Sequence, residues 1–230
     1  MNQKGRIYFV SGIDTGIGKS IATGLMARNL MARGIDVITV KMVQTGNDGY
    51  SEDLQLHRQM CGGVHFPEDD AGLTAPQIFK FPSSPLLAAS LEQRTVDIDA
   101  IRHAVDECAA RHQVVLVESA GGLHVPLSSG LLSIDLASQQ HWPLILVTCG
   151  RLGSINHTLL SLEAAISRRM AIAGIVYNWH SQSDPLIDAD TPEYTLQYLR
   201  RLGHDLPMVR IPQLVPGLPD PEIDFTAIIP

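Results

Sequence analysis

Directly after the apolar run Ile7-Tyr8-Phe9-Val10 the chain reads Gly12-Ile13-Asp14-Thr15-Gly16-Ile17-Gly18-Lys19-Ser20, and a helical pattern follows. Strand, glycine-rich turn, Gly-Lys-Ser and helix, in that order, are the context a phosphate-binding loop requires. Glycines let successive backbone N–H groups converge on phosphate oxygens, and the helix that follows turns its positive end toward them. In that frame the Lys19 ammonium reaches the outer phosphates and the Ser20 hydroxyl ligates Mg²⁺. The alternative is a plain glycine-rich turn with Lys19 solvated in the first helical turn. The strict pattern puts about four residues between its two glycines. Here five separate Gly12 from Gly18, which places the loop in a variant class.

The remainder of the chain has the architecture such a loop needs. Short apolar, β-branched runs predict strands over 6–11, 37–41, 114–118, 144–149, 172–178 and 208–211. Helical spacing predicts helices over 19–33, 51–60, 85–93, 98–111, 132–140, 155–168 and 192–202, with Gly34 stopping the first of them. Apolar strands alternating with helices specify an α/β fold, a mostly parallel sheet flanked by helices of the P-loop NTPase type. No repeat or linker divides the chain, so one domain over 1–230 is expected. Stretch 62–84 reads as a loop whose Glu68-Asp69-Asp70 patch is a solvated turn. The proline-rich tail over 212–230 reads as an extended segment laid over the body, with a turn at Pro216-Gly217.

In parallel sheets ligands gather at the C-terminal ends of the strands. Gly12 to Lys19, Lys41, Glu118 and Asn178 all fall at predicted strand ends. Lys41 is either a surface lysine or a second cation beside a transferring phosphoryl group, since burying it without an anion is costly. Glu118 closes the apolar run Val114-Val115-Leu116-Val117 and is a candidate acid beside Mg²⁺. Asp53 is a second such acid, or a charge favourable to a helix N-terminus. Gly121-Gly122 is either a flexible turn or a place where backbone approaches a ligand. The crossing from Gly150 to His157 is either a helix start capped by Ser154 or a set of N–H groups that could hold a carboxylate. His157 has no visible base partner.

The net charge of −7 argues against a nucleic-acid surface. No run of eighteen apolar residues suggests a membrane span, and the first residues lead into a strand without the pattern of a signal peptide. Cys61, Cys108 and Cys149 are odd in number and far apart, which suits reduced thiols and a cytoplasmic setting. The nine histidines form no His-Glu-x-x-His pair, and there is no Gly-x-Ser-x-Gly elbow.

Taken together these segments resemble the dethiobiotin synthetase family. Its pattern Gly-Thr-Asp-Thr-x-x-Gly-Lys-Thr is matched by the segment from Gly12 to Ser20, with the same five-residue separation. Lys-Pro-Val-x-[Ser/Thr]-Gly is matched by Lys41-Met42-Val43-Gln44-Thr45-Gly46, and Glu-Gly-Ala-Gly-Gly by Glu118-Ser119-Ala120-Gly121-Gly122. Leu-Gly-x-Ile-Asn-His is matched by Leu152-Gly153-Ser154-Ile155-Asn156-His157, and the proline-rich turn before a helix by Phe81-Pro82-Ser83-Ser84-Pro85.

The resemblance implies an enzyme that joins CO₂ to the diamine 7,8-diaminononanoate with ATP and Mg²⁺. It implies that Asp14, Thr15, Gly16, Ile17, Gly18, Lys19 and Ser20 hold the nucleotide phosphates. Asn178 and the segment Pro212, Gln213 and Leu214, running on to Gly217, would flank the adenine. Lys19 and Lys41 would neutralise the transferring phosphoryl group and a carbamate. Ser20, Asp53 and Glu118 would surround Mg²⁺, and Thr15 and Thr45 would hold the diamine. The turn carrying Gly153, Ser154 and Asn156, from a neighbouring subunit of a homodimer, would receive the distant carboxylate.

Four positions depart from the family pattern: Ile13 for threonine, Met42 for proline, Ser119 for glycine, and Gly16 without a polar side chain. Ser119 is expected to crowd the phosphate region. Two other classes compete. A partition-type ATPase switch would place a second lysine early in the loop, where Ile13 and Asp14 stand. An amide-forming synthetase on a corrinoid precursor would need a further glutaminase domain, for which no room is expected after Pro230.

Overall fold

The structure, a computed structural model, describes residues 4–179, 184–214 and 222–230. In chain order the elements are β1 (Arg6–Gly12), α1 (Lys19–Ala32), β2 (Val37–Lys41), β3 (Gln44–Thr45), α2 (Glu52–Met60), α3 (Pro67–Asp70), β4 (Ile78–Phe79), α4 (Pro85–Leu91) and α5 (Ile98–Arg111). There follow β5 (Val114–Gly122), β6 (Pro126–Ser128), β7 (Leu131–Leu132), α6 (Ser133–Gln139), β8 (Leu144–Cys149), α7 (Ser154–Ser167), β9 (Ile172–Asn178), α8 (Pro185–Arg201) and β10 (Met208–Ile211).

The six predicted strands form one parallel sheet in the order β10-β9-β8-β1-β5-β2. Every residue of β2 and β8 is buried. Successive side chains point to opposite faces, so both faces of these strands are covered. This is why their sequences are continuous apolar runs rather than alternating ones. α1 is likewise buried on several sides, because it lies on the sheet and carries α2 on its flank. Gly24 makes that second contact: a Cβ there would sit 2.7 Å from Met60 Sδ. Gly34 ends the helix with φ +75° and donates its N–H to Met31 O.

β1 lies at the centre, between β5 and β8, so its C-terminal loop projects from the middle of the sheet edge. Register fixes what surrounds it. Val10, Glu118 and Lys41 are lateral neighbours across β1, β5 and β2. Glu118 is therefore not a strand end. β5 continues four residues further, and Gly122 pairs with Gly12 beside the loop. This extension excludes a flexible turn at Gly121-Gly122. The pair is strand, and its missing side chains admit the loop, since a Cβ on Gly122 would lie 3.3 Å from Gly12 O.

Two other expectations are corrected. α8 starts at Pro185, seven residues before Pro192, because Asp184 caps it by accepting from Leu186 N–H at 2.8 Å. Pro192 lies inside the helix, and its lack of an N–H leaves the Asp188 carbonyl without a helical donor. The acidic patch is not a solvated turn: it is α3, with Glu68 buried and Asp69 in a two-pronged bond with Arg58 (2.9 and 2.7 Å). Where it is described the tail packs on the body as expected, but it is not extended throughout, since Ile228 and Ile229 N–H close a turn onto Phe225 O. Phe225, Ile228 and Ile229 are buried, and Phe225 N–H donates to Asn29 of α1. Val215, Pro216 and Gly217 lie outside the described residues.

Candidate active site

A cleft of about 720 Å³ opens at the C-terminal edge of β1, β2 and β5. Thr15, Lys19, Ser20, Lys41, Asp53 and Glu118 line it, with Gly16, Gly18 and Thr45 on its walls and the turn Pro82-Ser83-Ser84-Pro85 on its rim. The loop is shaped by Gly16 and Gly18, both at positive φ (+72° and +87°), a region open to glycine at little cost. Gly18 is the N-cap of α1, so Lys19 and Ser20 stand in its first turn. Lys19 is buried and donates from Nζ to Asp14 O at 2.8 Å. Burial pushes its pKa down and the nearby Lys41 adds to this. Glu118, Asp53 and Asp14 offset only part of the effect, and Lys19 settles at about 8.

Lys41 is 4% exposed, which excludes the surface-lysine alternative. Its three donor positions are all used: Asp53 Oδ2 at 2.5 Å, Glu118 Oε1 at 2.9 Å and Ser119 O at 3.0 Å. Burial pushes its pKa down, but Glu118 and Asp53 outweigh that and hold the ammonium above the ordinary lysine value. Asp53 is in the first turn of α2 and also lines the cleft. Ser20 Oγ lies 2.7 Å from Asp53 Oδ1 and 2.9 Å from Glu118 Oε1, so its one proton serves a single carboxylate at a time. A hydroxyl and two carboxylate oxygens converging in this way are the hard, sparse donor set that Mg²⁺ takes, with phosphate and water completing its shell. Among the described residues no three His, Cys, Asp or Glu gather into a protein-only metal cage.

Glu118 has no exposed surface, yet it is ionised. Burial pushes its carboxyl up, but the charge of Lys41 and the bonds from His57 and Lys41 outweigh this and hold it well below the usual carboxylate range. His57 is the residue that sequence reasoning missed. It lies one turn after Asp53 on the same face of α2, with Nε2 2.7 Å from Glu118 Oε2. The available signal was the i, i+4 spacing of Asp53 and His57, which stacks two side chains on a helix.

The other expected residues lie off the cleft wall. Asn178, buried at the end of β9, donates from Nδ2 to Ile17 O at 2.9 Å and so braces the phosphate loop from beneath. Ile17 is fully buried. Pro212, Gln213 and Leu214 leave the sheet beside Asn178, because Ile211 pairs with it across β10 and β9. The turn before α7 is not part of this chain's cleft lining. Gly153, at φ +91°, is the N-cap rather than Ser154, whose side chain is buried with Oγ 3.4 Å from Cys149 Sγ. Asn156 is exposed. The turn is tied to the loop through Arg151 NH2, 2.6 Å from Asp14 Oδ2. Burial pushes the Asp14 carboxyl up, but the Arg151 and Thr15 N–H bonds hold it below its ordinary value. His157 Nδ1 is 4.0 Å from the same carboxylate.

Two departures from the family pattern face away from the cleft. Ser119 does not crowd the phosphate region: its hydroxyl is buried and donates to Ser11 Oγ at 2.9 Å, between β5 and β1. Ile13 packs into the core, and Gly16 has open space around it.

The AAA domain family fits this chain over residues 6–216. ATP-dependent dethiobiotin synthetase BioD 2 of Pasteurella multocida is 44% identical over 200 residues, spanning 85% of this chain and 92% of the relative. ATP-dependent dethiobiotin synthetase BioD of Chlorobaculum tepidum is 45% identical, spanning 87% of this chain and 84% of the relative. Among solved structures, a ParA family ATPase from Chlorobium tepidum superposes with a TM-score of 0.53 at 18% identity, over 91% of this chain and 84% of its own. The cell division protein FtsY of Thermotoga maritima gives 0.52 at 18% identity, over 91% and 62%. At such identity these two speak for the fold, a P-loop NTPase sheet.

Proposed function

The chain belongs to the ATP-dependent dethiobiotin synthetase family, and from that premise we propose that it is a carbon–nitrogen cyclo-ligase of biotin biosynthesis. It joins CO₂ to 7,8-diaminononanoate and closes the ureido ring, giving dethiobiotin, ADP and phosphate. One amine nitrogen attacks CO₂ and loses a proton to leave a carbamate. A carbamate oxygen attacks the γ-phosphorus of ATP, and ADP leaves. The second amine attacks the carbonyl carbon of the mixed anhydride, loses a proton, and phosphate departs.

The observation that carries this reading is the Lys41 ammonium, buried and charged within the cleft that also holds the phosphate loop. A reaction whose nucleophiles are the substrate's own amines needs positioned charge more than a protein base, and positioning and charge neutralisation dominate phosphoryl transfer. Lys19 and Lys41 supply two cations for the phosphoryl group and the carbamate. Thr15 and Thr45 stand on the wall where the diamine would lie. Ser20, Asp53 and Glu118 would hold Mg²⁺, which when bound draws negative charge from the phosphate oxygens. Asn178 and residues 212–214 would flank the adenine.

We assign the distant carboxylate to the turn at Gly153, Ser154 and Asn156 of a second copy. Support comes from its place outside this chain's own cleft lining and from Leu152, 82% exposed beside it. Ser154 N–H already donates to Arg151 O, so its neighbours carry that contact. We read the whole chain as one domain, working on small molecules in the cytoplasm, which suits its three free thiols. Among the described residues no helix is long and apolar enough to cross a membrane.

The test is phosphate release with MgATP and bicarbonate, with and without 7,8-diaminononanoate, and the mass of the product. Diamine-dependent release with the cyclic urea is the expected result. Release that ignores the diamine would overturn the reading.

A further inference from the structure

Glu118 takes bonds on both oxygens, and the two sides differ. Oε1 faces Lys41 Nζ and Ser20 Oγ, each at 2.9 Å, in the cleft. Oε2 faces only His57 Nε2, at 2.7 Å, on the side away from it. A carboxylate oxygen accepts, so this short contact is a bond with the proton on Nε2. His57 Nδ1 lies 3.0 Å from Thr39 Oγ1, and that oxygen also accepts from Arg58 NH1 at 2.8 Å. Thr39 Oγ1 thus joins Arg58 to the far nitrogen of the His57 ring. Arg58 is fixed in turn by its double bond to Asp69 and by a contact to Thr39 O. From Asp69 through Arg58, Thr39 and His57 to Glu118 the contacts run without a break, and each joining atom has a partner.

We propose that His57 is a positioning residue that sets the rotation of the Glu118 carboxylate, so that Oε1 is presented to the cleft for a divalent cation and for Lys41. His57 is fully buried behind Glu118 and does not line the cleft. It acts only through that carboxylate. Partners of this kind, one step behind a metal-side ligand, fix its orientation and so tune metal affinity. The proposal rests on the reading of Ser20, Asp53 and Glu118 as the magnesium site.

Three variants separate orientation from filling. His57→Gln keeps an N–H donor at about the reach of Nε2. His57→Asn reaches only as far as Nδ1 and offers Glu118 nothing. His57→Leu fills the space without polarity. ATP affinity is titrated by calorimetry in excess EDTA and again in Mg²⁺ or Mn²⁺, beside thermal melts and steady-state kinetics. His57→Asn and His57→Leu are expected to keep the EDTA affinity and to lose ~10–100-fold of the metal-dependent gain, the usual size of such a loss. Turnover falls with it, while KM for the diamine stays, and His57→Gln remains within about threefold of the parent.

Should His57→Leu not fold, the Asn and Gln variants carry the comparison. A metal-dependent gain present in the parent and undiminished in folded His57→Asn would overturn the positioning role alone. An equal loss in His57→Gln and His57→Leu would do the same, since it would mark packing rather than the donor. No metal-dependent gain in the parent would overturn the metal reading and the proposal together.

Discussion

Lys41→Met is the perturbation that most directly tests the charge arrangement of the cleft. Methionine matches the buried stem as far as Cε and removes only the ammonium, so the space lost is that of one heavy atom. Its loss takes one donor each from Asp53 Oδ2, Glu118 Oε1 and Ser119 O. Breaking a buried ion pair by removing one partner typically costs about 3–5 kcal/mol, because a desolvated charge is left behind. Here the lower end applies. Glu118 keeps His57, the Ser20 hydroxyl still serves one of the two carboxylates, and the Asp53 side chain is 29% exposed to water. About 3 kcal/mol in a domain of this size corresponds to a fall in Tm of roughly 6–12 °C. Turnover should fall further than stability implies. Removing one well-placed electrostatic group from a transition state costs about 10²–10³-fold. ATP affinity in EDTA should hold within a few-fold, since the phosphate loop lies on β1 and α1 and Lys41 makes no bond to it. The assays are a thermal melt, calorimetric ATP titration and diamine-dependent phosphate release. A folded Lys41→Met protein with parental turnover would remove Lys41 from the chemistry. An unchanged Tm would refute the buried-pair energetics.

Asp69 gives a pH test. Burial pushes its carboxyl up, but Arg58, Thr74 and the Phe66 N–H hold it below its model-peptide value of 3.8. A lowered folded pKa contributes stability that is present above the unfolded value and lost as pH falls through the folded one. Asp69→Asn should therefore cost about 2 kcal/mol at pH 7 by the measure of a charged hydrogen bond, and the difference should shrink below pH ~4. Urea melts showing an equal difference at both pH values would refute it. Gly18→Ala places a Cβ 1.8 Å from Asn178 Nδ2 at a φ of +87°, so Asn178 must leave Ile17 O. A loss of ATP affinity of about tenfold or more is expected, on a backbone strain of ~1–2 kcal/mol plus the broken brace, and parental affinity would show that the brace is dispensable. Cys108 is buried with its thiol pushed up to about 12, Cys61 is raised by burial, and Cys149 is buried. Native protein should react slowly with a thiol reagent at pH 8 and release three equivalents only when unfolded, whereas three fast equivalents in the native state would contradict the burial. Leu152→Glu should yield monomers in sedimentation, with ATP binding intact and a raised KM for the diamine. A dimer that persists with unchanged KM would place the substrate carboxylate elsewhere.

The inner strands β1, β5 and β8 were legible because each is largely a continuous apolar run, as burial on both faces demands, while the edge strand β10 keeps an exposed Arg210 within a short apolar stretch. Positions within the sheet were less so. Glu118 reads as a strand end because the hydrophobic signal stops there. The strand runs on through Ser119, Ala120, Gly121 and Gly122, held by the loop on one side rather than by apolar burial on both. β3, β4, β6 and β7 are two or three residues long and have no period to read. α8 was shortened by taking Pro192 as a helix start, where the true start is the Asp184-Pro185 cap. At the site, the phosphate loop, Lys41 and Glu118 could be named, since glycine spacing and charge at the end of an apolar run are local signals, whereas Asp53 reads locally as a helix-start charge and is brought in by the resemblance. His57, Thr39 and Arg58 could not. Their meaning depends on α2 lying behind Glu118, and that is a contact between residues 61 apart in sequence.

The two substitutions in the strand-edge motifs can be read together. Met42 stands where the family has proline, and its N–H donates to Glu118 O at 3.1 Å, a bond proline cannot make. Ser119 stands where the family has glycine, and its hydroxyl reaches Ser11 on the opposite neighbour. One bond ties β5 to the end of β2 and the other ties it to β1, on consecutive residues. Both flank the Glu118 carboxylate and neither enters the cleft. Each contributes ~1 kcal/mol at most, which is small for stability. Their effect on geometry is larger, because they fix the backbone that carries Glu118 from both sides while His57 fixes its side chain. A rigid frame around an ionised, fully buried carboxylate is what the chemistry asks of this strand, since a misplacement of about 1 Å can cost 10²-fold in rate. On this account the departures at Met42 and Ser119 stiffen the acid's setting and leave the proposed cations, Lys19 and Lys41, as the family has them, while Ser20 keeps the hydroxyl of the family's threonine.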